Sequence, residues 1–262
     1  MFKLVVVVVI LYVLLIHLWH IQYLKQEDAT VNSNIFSNVA VFLLLWSYIK
    51  CCTTDSFVIK RNIRDSETAS YHTCSICHHR KLPRTHHCRK CNRCVVKMDH
   101  HCPWVGHCVG ERNYKHYVLF LMYTTLSLFD VIVASVKRIV TPNDWSNYAI
   151  VFTATVALAQ LVLMCSVGYL LVWHLMQCAH NCTTIEWYQN QKNSRHHASK
   201  LATFPWPKTF PIKSPYDGGL YSNFQQVFGR YFLWLVPIID TNNEVGTQSG
   251  NENNNKATKN IV

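Results

Sequence analysis

Charge is scarce in this chain. Only 15% of its 262 residues are Asp, Glu, Lys or Arg, against about 25% in a typical soluble domain. A surface wetted along the whole length is therefore excluded. Acid is scarcer than base, with 14 acidic residues against 25 Lys and Arg, for a net charge of +11. No internal repeat is apparent beyond a doubling inside one cysteine cluster. No small-x-small cleavage site follows the first apolar run, where Trp19-His20-Ile21-Gln22 stands instead. A removable signal peptide is thus not expected, despite the basic Lys3 ahead of the run.

What the chain does have is four apolar runs. Residues 4–19 are broken only by His17, residues 35–49 carry no charge, residues 117–136 hold the single acid Asp130, and residues 148–173 are the longest. A membrane helix needs roughly 17–25 such residues. The third and fourth runs meet this outright; the first two need their flanks, and residues 33–52 suffice for the second. The expected fold is an all-α polytopic membrane protein with four transmembrane helices, at 1–24, 33–52, 117–136 and 148–175. A charged residue inside a span is costly and usually faces the bundle interior. Asp130 is expected to do so, or to reach water on the lumenal side.

Charge orients the bundle. Residues 51–116 carry 12 Lys and Arg and the chain after 175 carries eight, whereas loop 25–34 carries only Lys25. The positive-inside rule then places both termini and segment 53–116 in the cytosol. A basic face beside a membrane suits an anionic bilayer or a polyanionic cofactor; no nucleic-acid partner is expected.

Seven of the 12 cysteines fall between Cys74 and Cys108. An odd count in a reducing compartment does not suit a disulfide framework, and interleaved histidines point to zinc. Two tetrahedral zinc sites need eight ligands, and the cluster offers more, so at least one cysteine can be left free. Cys74-x2-Cys77 is one knuckle. Cys88-x2-Cys91 and Cys91-x2-Cys94 overlap, so one of those cysteines serves another site. Segment 74–116 has little helical or strand periodicity and no core of its own, so metal must hold it together.

The cluster resembles the cysteine-rich domain of the DHHC family of protein S-acyltransferases (palmitoyltransferases). The matching residues are Cys74-x2-Cys77, Pro83-Arg84, His86-His87-Cys88-x2-Cys91-x2-Cys94, Met98-Asp99-His100-His101-Cys102-Pro103-Trp104-Val105, Cys108-Val109-Gly110 and Asn113-Tyr114. Thr183-Thr184-Ile185-Glu186 resembles the family's Thr-Thr-x-Glu motif, and Asn223-x3-Val227-Phe228-Gly229 its C-terminal motif. The resemblance implies two interleaved structural Zn2+ ions. One would be held by Cys74, Cys77, His87 and Cys94, the other by Cys88, Cys91, His101 and Cys108. It also implies two-step transfer from acyl-CoA, such as palmitoyl-CoA, to cysteines of membrane-associated proteins. Cys102 would carry the acyl group, His100 act as base and Asp99 orient it, with Thr184 positioning that pair. Thr183, Glu186 and Asn223 would complete the structural motifs. Two departures stand out: Ser56-Phe57 after Asp55 where Pro-Gly is usual, and Gly106-His107 where two asparagines are usual.

Lys81, Arg84, His86 and Lys97 are candidates for the CoA phosphates. The acyl chain is expected in a cavity between the spans, lined by aromatics such as Phe36, Trp46, Phe120, Tyr123, Phe129 and Phe152. Residues 176–240 form a cytosolic region with a Pro-rich stretch at 204–211. Within it, Phe224–Leu235 is amphipathic, and lies on the membrane surface or against the zinc module. Residues 241–262 are Asn-rich and expected to be disordered. The expected location is the endomembrane system: endoplasmic reticulum, Golgi or vacuole. Two other readings compete: a non-catalytic zinc scaffold at the membrane, and a membrane-tethered ubiquitin ligase, whose cross-brace spacing is not present.

Overall fold

The computed structural model describes residues 2–24, 31–57, 72–141, 146–197 and 214–238. The expected tail and the Pro-rich stretch lie outside these residues. The fold is mostly helical: α1 (Phe2–Trp19), continued by one π-helical turn (His20–Leu24), α2 (Val31–Thr53), α3 (Tyr114–Val140), α4 (Asn147–Ala179), α5 (Thr184–His197) and α6 (Leu220–Phe228). Among the described residues, three helices are long and apolar enough to cross a membrane. These segments are Asn34–Thr53, Tyr114–Val140 and Asn147–Ala179, with mean hydropathies of 1.7, 1.9 and 2.2. The first run forms a shorter apolar helix, Val6–Gln22 by the same measure.

α3 is the central element, with α2 and α4 packed along it; α1 touches α2, and its π-turn reaches α3. Two helix ends carry recognisable signals. Lys137 and Arg138 lie in the last turn of α3, where cations complement the helix dipole. Ser146 caps α4, its Oγ accepting from the Ala149 N–H. Asp130 does face the interior: Ser37 Oγ donates to its carboxylate, and His20 Nε2 lies 3.7 Å from it. These groups edge a cavity of about 70 Å³ whose walls include Val13, Ile16, Leu44 and Leu128. None of the six expected aromatics lines it. Phe36, Phe129 and Phe152 are exposed on the outer surface of the bundle, and Phe120 packs on Tyr48 with ring centroids 5.0 Å apart. An apolar run does not reveal which arc of its helix faces inward, and large aromatics at the periphery suit lipid as well as core.

The cysteine-rich segment has more regular structure than expected. β1 (His86–Cys88) pairs antiparallel with β2 (Arg93–Val95), and β3 (His100–Cys102) with β4 (His107–Val109). Three-residue strands are too short to leave a periodicity in the sequence. A fully buried side chain, Asn113, helps join the hairpins to the membrane helices. Asn113 Nδ2 donates to the carbonyls of Cys51 (3.3 Å) and Cys108 (3.1 Å). Its Oδ1 accepts from the Gly110 N–H (2.8 Å) and Ser56 Oγ (3.0 Å). The Ser56 departure therefore supplies a bond rather than a disrupted turn. Gly110 is required by close approach, since a Cβ there would sit 2.8 Å from the Val96 carbonyl oxygen.

α6 also corrects an expectation. It ends at Gly229 (φ 79°) and packs against the membrane bundle, where Phe228 joins the core formed by Leu44, Val118, Leu119 and Cys178. Its packing is therefore on α3 and α4 rather than on the hairpins. Lys115 of α3 holds its C-terminus, Nζ donating to the Phe228 carbonyl (2.9 Å).

Replacing Asn113 with Ala leaves buried backbone groups unpaired at the junction of α2, α3 and β4. A stability loss of about 3 kcal/mol is expected, against about 1 kcal/mol for Ser56→Ala, both measured by thermal unfolding in detergent.

Candidate metal cages and catalytic centre

Register builds the cages. Cross-strand neighbours share a face, and β1–β2 places His87 opposite Cys94 as β3–β4 places His101 opposite Cys108. The loop Cys74–Cys77 closes over the first pair, while the turn of the first hairpin, with Cys88 and Cys91, closes over the second. The donor atoms within each set lie within 4.8 Å of one another. Ligands on tetrahedral arms of about 2.0–2.3 Å should stand roughly 3.3–3.8 Å apart. His87 Nδ1 lies 3.7, 3.2 and 3.9 Å from the sulfurs of Cys74, Cys77 and Cys94. His101 Nδ1 lies 3.7, 3.3 and 3.8 Å from those of Cys88, Cys91 and Cys108. Both sets fit zinc. Without a cation they are uneven homes for thiolates: burial and neighbouring thiols push Cys94 up to about 12 and raise Cys108, whereas hydrogen bonds from the knuckle backbone lower Cys74 and, against the cost of burial, Cys88. A dication removes that penalty.

A 14-residue period runs through the module. Cys74, Cys88 and Cys102 are equivalent, as are Cys77, Cys91 and Val105. The left-handed residues His78, Asn92 and Gly106 (φ 54°, 51° and 78°) follow the same step. The third turn thus repeats the knuckle backbone but carries Val105 where the second cysteine belongs. Cys102 is left out of both cages. Gly106 accounts for one departure: glycine and asparagine both tolerate the left-handed conformation needed there. His107 accounts for the other: its ring nitrogens lie 2.9 Å from the carbonyls of Cys108 and Cys52, tying the hairpin to α2.

Cys102 is 4% exposed and packs with Cys51, Val105, Val109, Tyr117 and Leu121, so the free thiol faces the helical bundle. Beside it stands His100, which contacts the Cys102 side chain and whose Nδ1 lies 2.7 Å from Asp99 Oδ2. Asp99 is 1% exposed. It also accepts from the Thr184 N–H (2.8 Å) and Thr184 Oγ1 (2.9 Å). Burial alone would raise the Asp99 pKa; the His100 hydrogen bond, the nearby His174 and the Thr184 N–H outweigh it and hold the carboxyl below its usual range. For His100, burial opposes protonation, but hydrogen bonds to Asp99 and Cys102 prevail and lift it to about 9. Such a histidine is a strong proton acceptor for an adjacent thiol.

Thr-Thr-x-Glu has a mechanical meaning here. Thr183 and Glu186 form a reciprocal capping box at the start of α5: the Thr183 N–H donates to Glu186 Oε2 (2.8 Å), and the Glu186 N–H to Thr183 Oγ1 (3.3 Å). That leaves the first helical N–H, on Thr184, free for Asp99, with the positive end of the helix dipole behind it. Glu186 then binds Arg84 through two oxygens, at 2.6 and 2.7 Å.

This alters the picture for the phosphate candidates. Arg84 also donates to Asn181 Oδ1 (2.9 Å) and to the Asn181 carbonyl (3.0 Å), and lies over the Tyr216 ring at 4.3 Å. Four of its bonds are committed inward, so its geometry does not favour a phosphate. Lys97 lines a cavity of about 50 Å³ with Asp99, Glu111 and Thr183, and burial pushes its pKa down to about 8. Lys81 and His86 are partly buried and close enough to interact; burial, then the Lys81 charge, lowers His86. Asn223 is fully buried, donating to the Ala179 carbonyl (2.7 Å) and to Asp217 (2.6 Å), which fixes the end of α4.

Sequence reasoning missed Asn181, His174 and Gln177. Asn181 had a signal, as an asparagine just past an apolar helix is a common left-handed C-cap; its φ is 44°.

A family model described as DHHC palmitoyltransferase matches residues 67–191. The chain is similar to the putative ZDHHC-type palmitoyltransferase 2 of Dictyostelium discoideum, 31% identical over 88% of this chain and 55% of that protein. It is similar to the probable protein S-acyltransferase 13 of Arabidopsis thaliana, 32% identical over 78% and 70% of the two chains. With the probable protein S-acyltransferase 14 of the same plant it shares 35% identity over 80% and 72%. The chain thus spans about half the length of the first of these relatives and more than two thirds of the other two.

Metal analysis of the purified protein is expected to give two zinc ions per chain. Cys94→Ser should lower that to one or none, whereas Cys102→Ser should leave both.

Proposed function

This chain belongs to the DHHC palmitoyltransferase family, and from that premise we propose that it is a protein-cysteine S-acyltransferase working through an acyl-enzyme on Cys102. It is an integral membrane protein. The donor is a long-chain acyl-CoA such as palmitoyl-CoA, and the acceptors are cysteines of membrane-associated proteins. The observation that carries the reading is a cysteine excluded from both cages and set beside a histidine whose other nitrogen is held by a buried carboxylate.

In the first step His100 takes the Cys102 thiol proton and the sulfur attacks the thioester carbonyl. The tetrahedral adduct collapses, the carbon–sulfur bond to CoA breaks, and the departing thiolate recovers the proton from His100. In the second step His100 deprotonates the acceptor cysteine, which attacks the Cys102 thioester and releases the enzyme thiol. Asp99 stays ionised and stabilises the imidazolium in both steps. Thr184 keeps Asp99 in place. The two zinc ions are structural, and they would fix the hairpin that carries Cys102.

We further read α1 as the first of four spans, with both termini and the hairpins cytosolic and the protein resident in an endomembrane compartment. The basic 51–116 segment supports that orientation. Lys81 and His86 remain the best placed of the phosphate candidates, because neither is committed to an ion pair as Arg84 is. A non-catalytic scaffold would need no such dyad at the leftover cysteine.

Incubation with radiolabelled palmitoyl-CoA should give a hydroxylamine-sensitive label on the wild-type protein and none on Cys102→Ser. Asp99→Ala should slow labelling on the order of 10²–10⁴-fold. A Cys102→Ser protein that still transfers label to acceptor cysteines would falsify the proposal.

A further inference from the structure

α4 is apolar through most of its length, yet two of its buried residues near the catalytic centre are polar. His174 is 3% exposed and Gln177 is 1% exposed. Buried polar groups in a spanning helix are expensive and mark function by default. Neither belongs to the motifs identified in the sequence.

His174 meets the catalytic dyad directly. Its ring centroid lies 5.8 Å from that of His100, tilted by 34°, and 5.0 Å from that of Tyr117, edge to face. Tyr117 in turn meets His100 edge to face at 5.1 Å. Three rings thus enclose one another, and the only one that moves a proton is held by the other two. A ring nitrogen of His174, one of His100 and an oxygen of Asp99 all lie within 4.8 Å of one another.

Three such donors invite a metal reading, but the distances oppose it. Two ligands on tetrahedral arms of about 2.0 Å stand roughly 3.3 Å apart, whereas His100 Nδ1 and Asp99 Oδ2 are 2.7 Å apart. That is a hydrogen bond, not an edge of a cage. Asp99 is moreover already bonded to Thr184.

The other side of the ring is anchored. His174 Nδ1 lies 3.0 Å from Tyr114 Oη. With the Gln177 amide turned to satisfy its neighbours, its nitrogen donates to His174 Nδ1 and Tyr114 Oη, both at 3.1 Å, and its oxygen accepts from Trp173 Nε1 (3.0 Å) and from the shared Thr184 N–H (3.2 Å). Nδ1 is then an acceptor and the neutral ring keeps its hydrogen on Nε2. One connected network runs from Tyr114 through His174 and Gln177 to Thr184, and so to Asp99.

We infer that His174 is a positioning residue for the reaction, holding the His100 ring against Tyr117 from the membrane side while Tyr114 and Gln177 hold His174. It touches neither the acyl donor nor Cys102; it acts through His100. This rests on the acyltransferase reading above.

The test is single-turnover acylation of Cys102 over a range of palmitoyl-CoA concentrations. His174→Ala should lower the maximal rate tenfold or more, with half-saturation changed less than twofold and two zinc ions retained. His174→Phe keeps a ring but loses the anchor, and should fall about threefold. Tyr114→Phe should do the same, and the double variant should be no worse than either, because both changes cut one path. Should His174→Ala fail to fold, the two phenylalanine variants carry the test. Rates within twofold of wild type, a loss confined to half-saturation, or additive losses in the double variant overturn the inference. If wild type itself is not acylated at Cys102, the acyltransferase reading has failed instead.

Discussion

The candidate catalytic centre rests on two four-donor cages of cysteine and histidine, each of a size that fits a zinc ion. The hairpin segment has almost no core of its own: Cys88, Val95, Met98 and Cys108 are the buried cluster, and half of these are candidate ligands. Burial pushes several of its thiols away from ionisation. A cation inside each cage would offset that cost and would hold the register of both hairpins. His87 opposite Cys94 and His101 opposite Cys108 then follow, and so does the orientation of Cys102, which closes the second hairpin opposite His107.

The cages hold the thiol but do not arm it. That task falls to groups distant in the chain. Asp99 receives its hydrogen bonds from the first turn of α5, and the capping box of that turn is clamped to the hairpins through Glu186 and Arg84. Asn181 ties the same arginine to α6 through Gln226 (2.9 Å) and to the Tyr216 carbonyl (2.7 Å). Helix end, hairpin and C-terminal helix thus meet at one guanidinium. Arginine suits this place because its planar fork serves several acceptors at once.

That a cysteine could be surplus to two zinc sites was legible from the count; which donors pair, and that Cys102 is the spare, came from the family resemblance. Long apolar runs were equally legible, since lipid demands length. What could not be read was anything set by the arc of a helix or by the end of one. Phe129 and Phe152 look the same in sequence whether they face lipid or a cavity. Arg84 looks like a phosphate ligand until Glu186, 102 residues away, is brought to it. Three-residue strands escaped because two alternations make no pattern. Gly106 looked like a departure, and only its backbone angle shows why glycine can stand there.

The wiring of Asp99 has a consequence for biosynthesis. Its hydrogen-bond donors on Thr184 lie 85 residues further along the chain. A ribosome therefore delivers the thiol long before it delivers the helix end that orients the base. During that interval the hairpins can load metal while the thiol still lacks its aligned partner. On the proposed mechanism, the oriented base is complete only after α4 and the turn beyond it have been made.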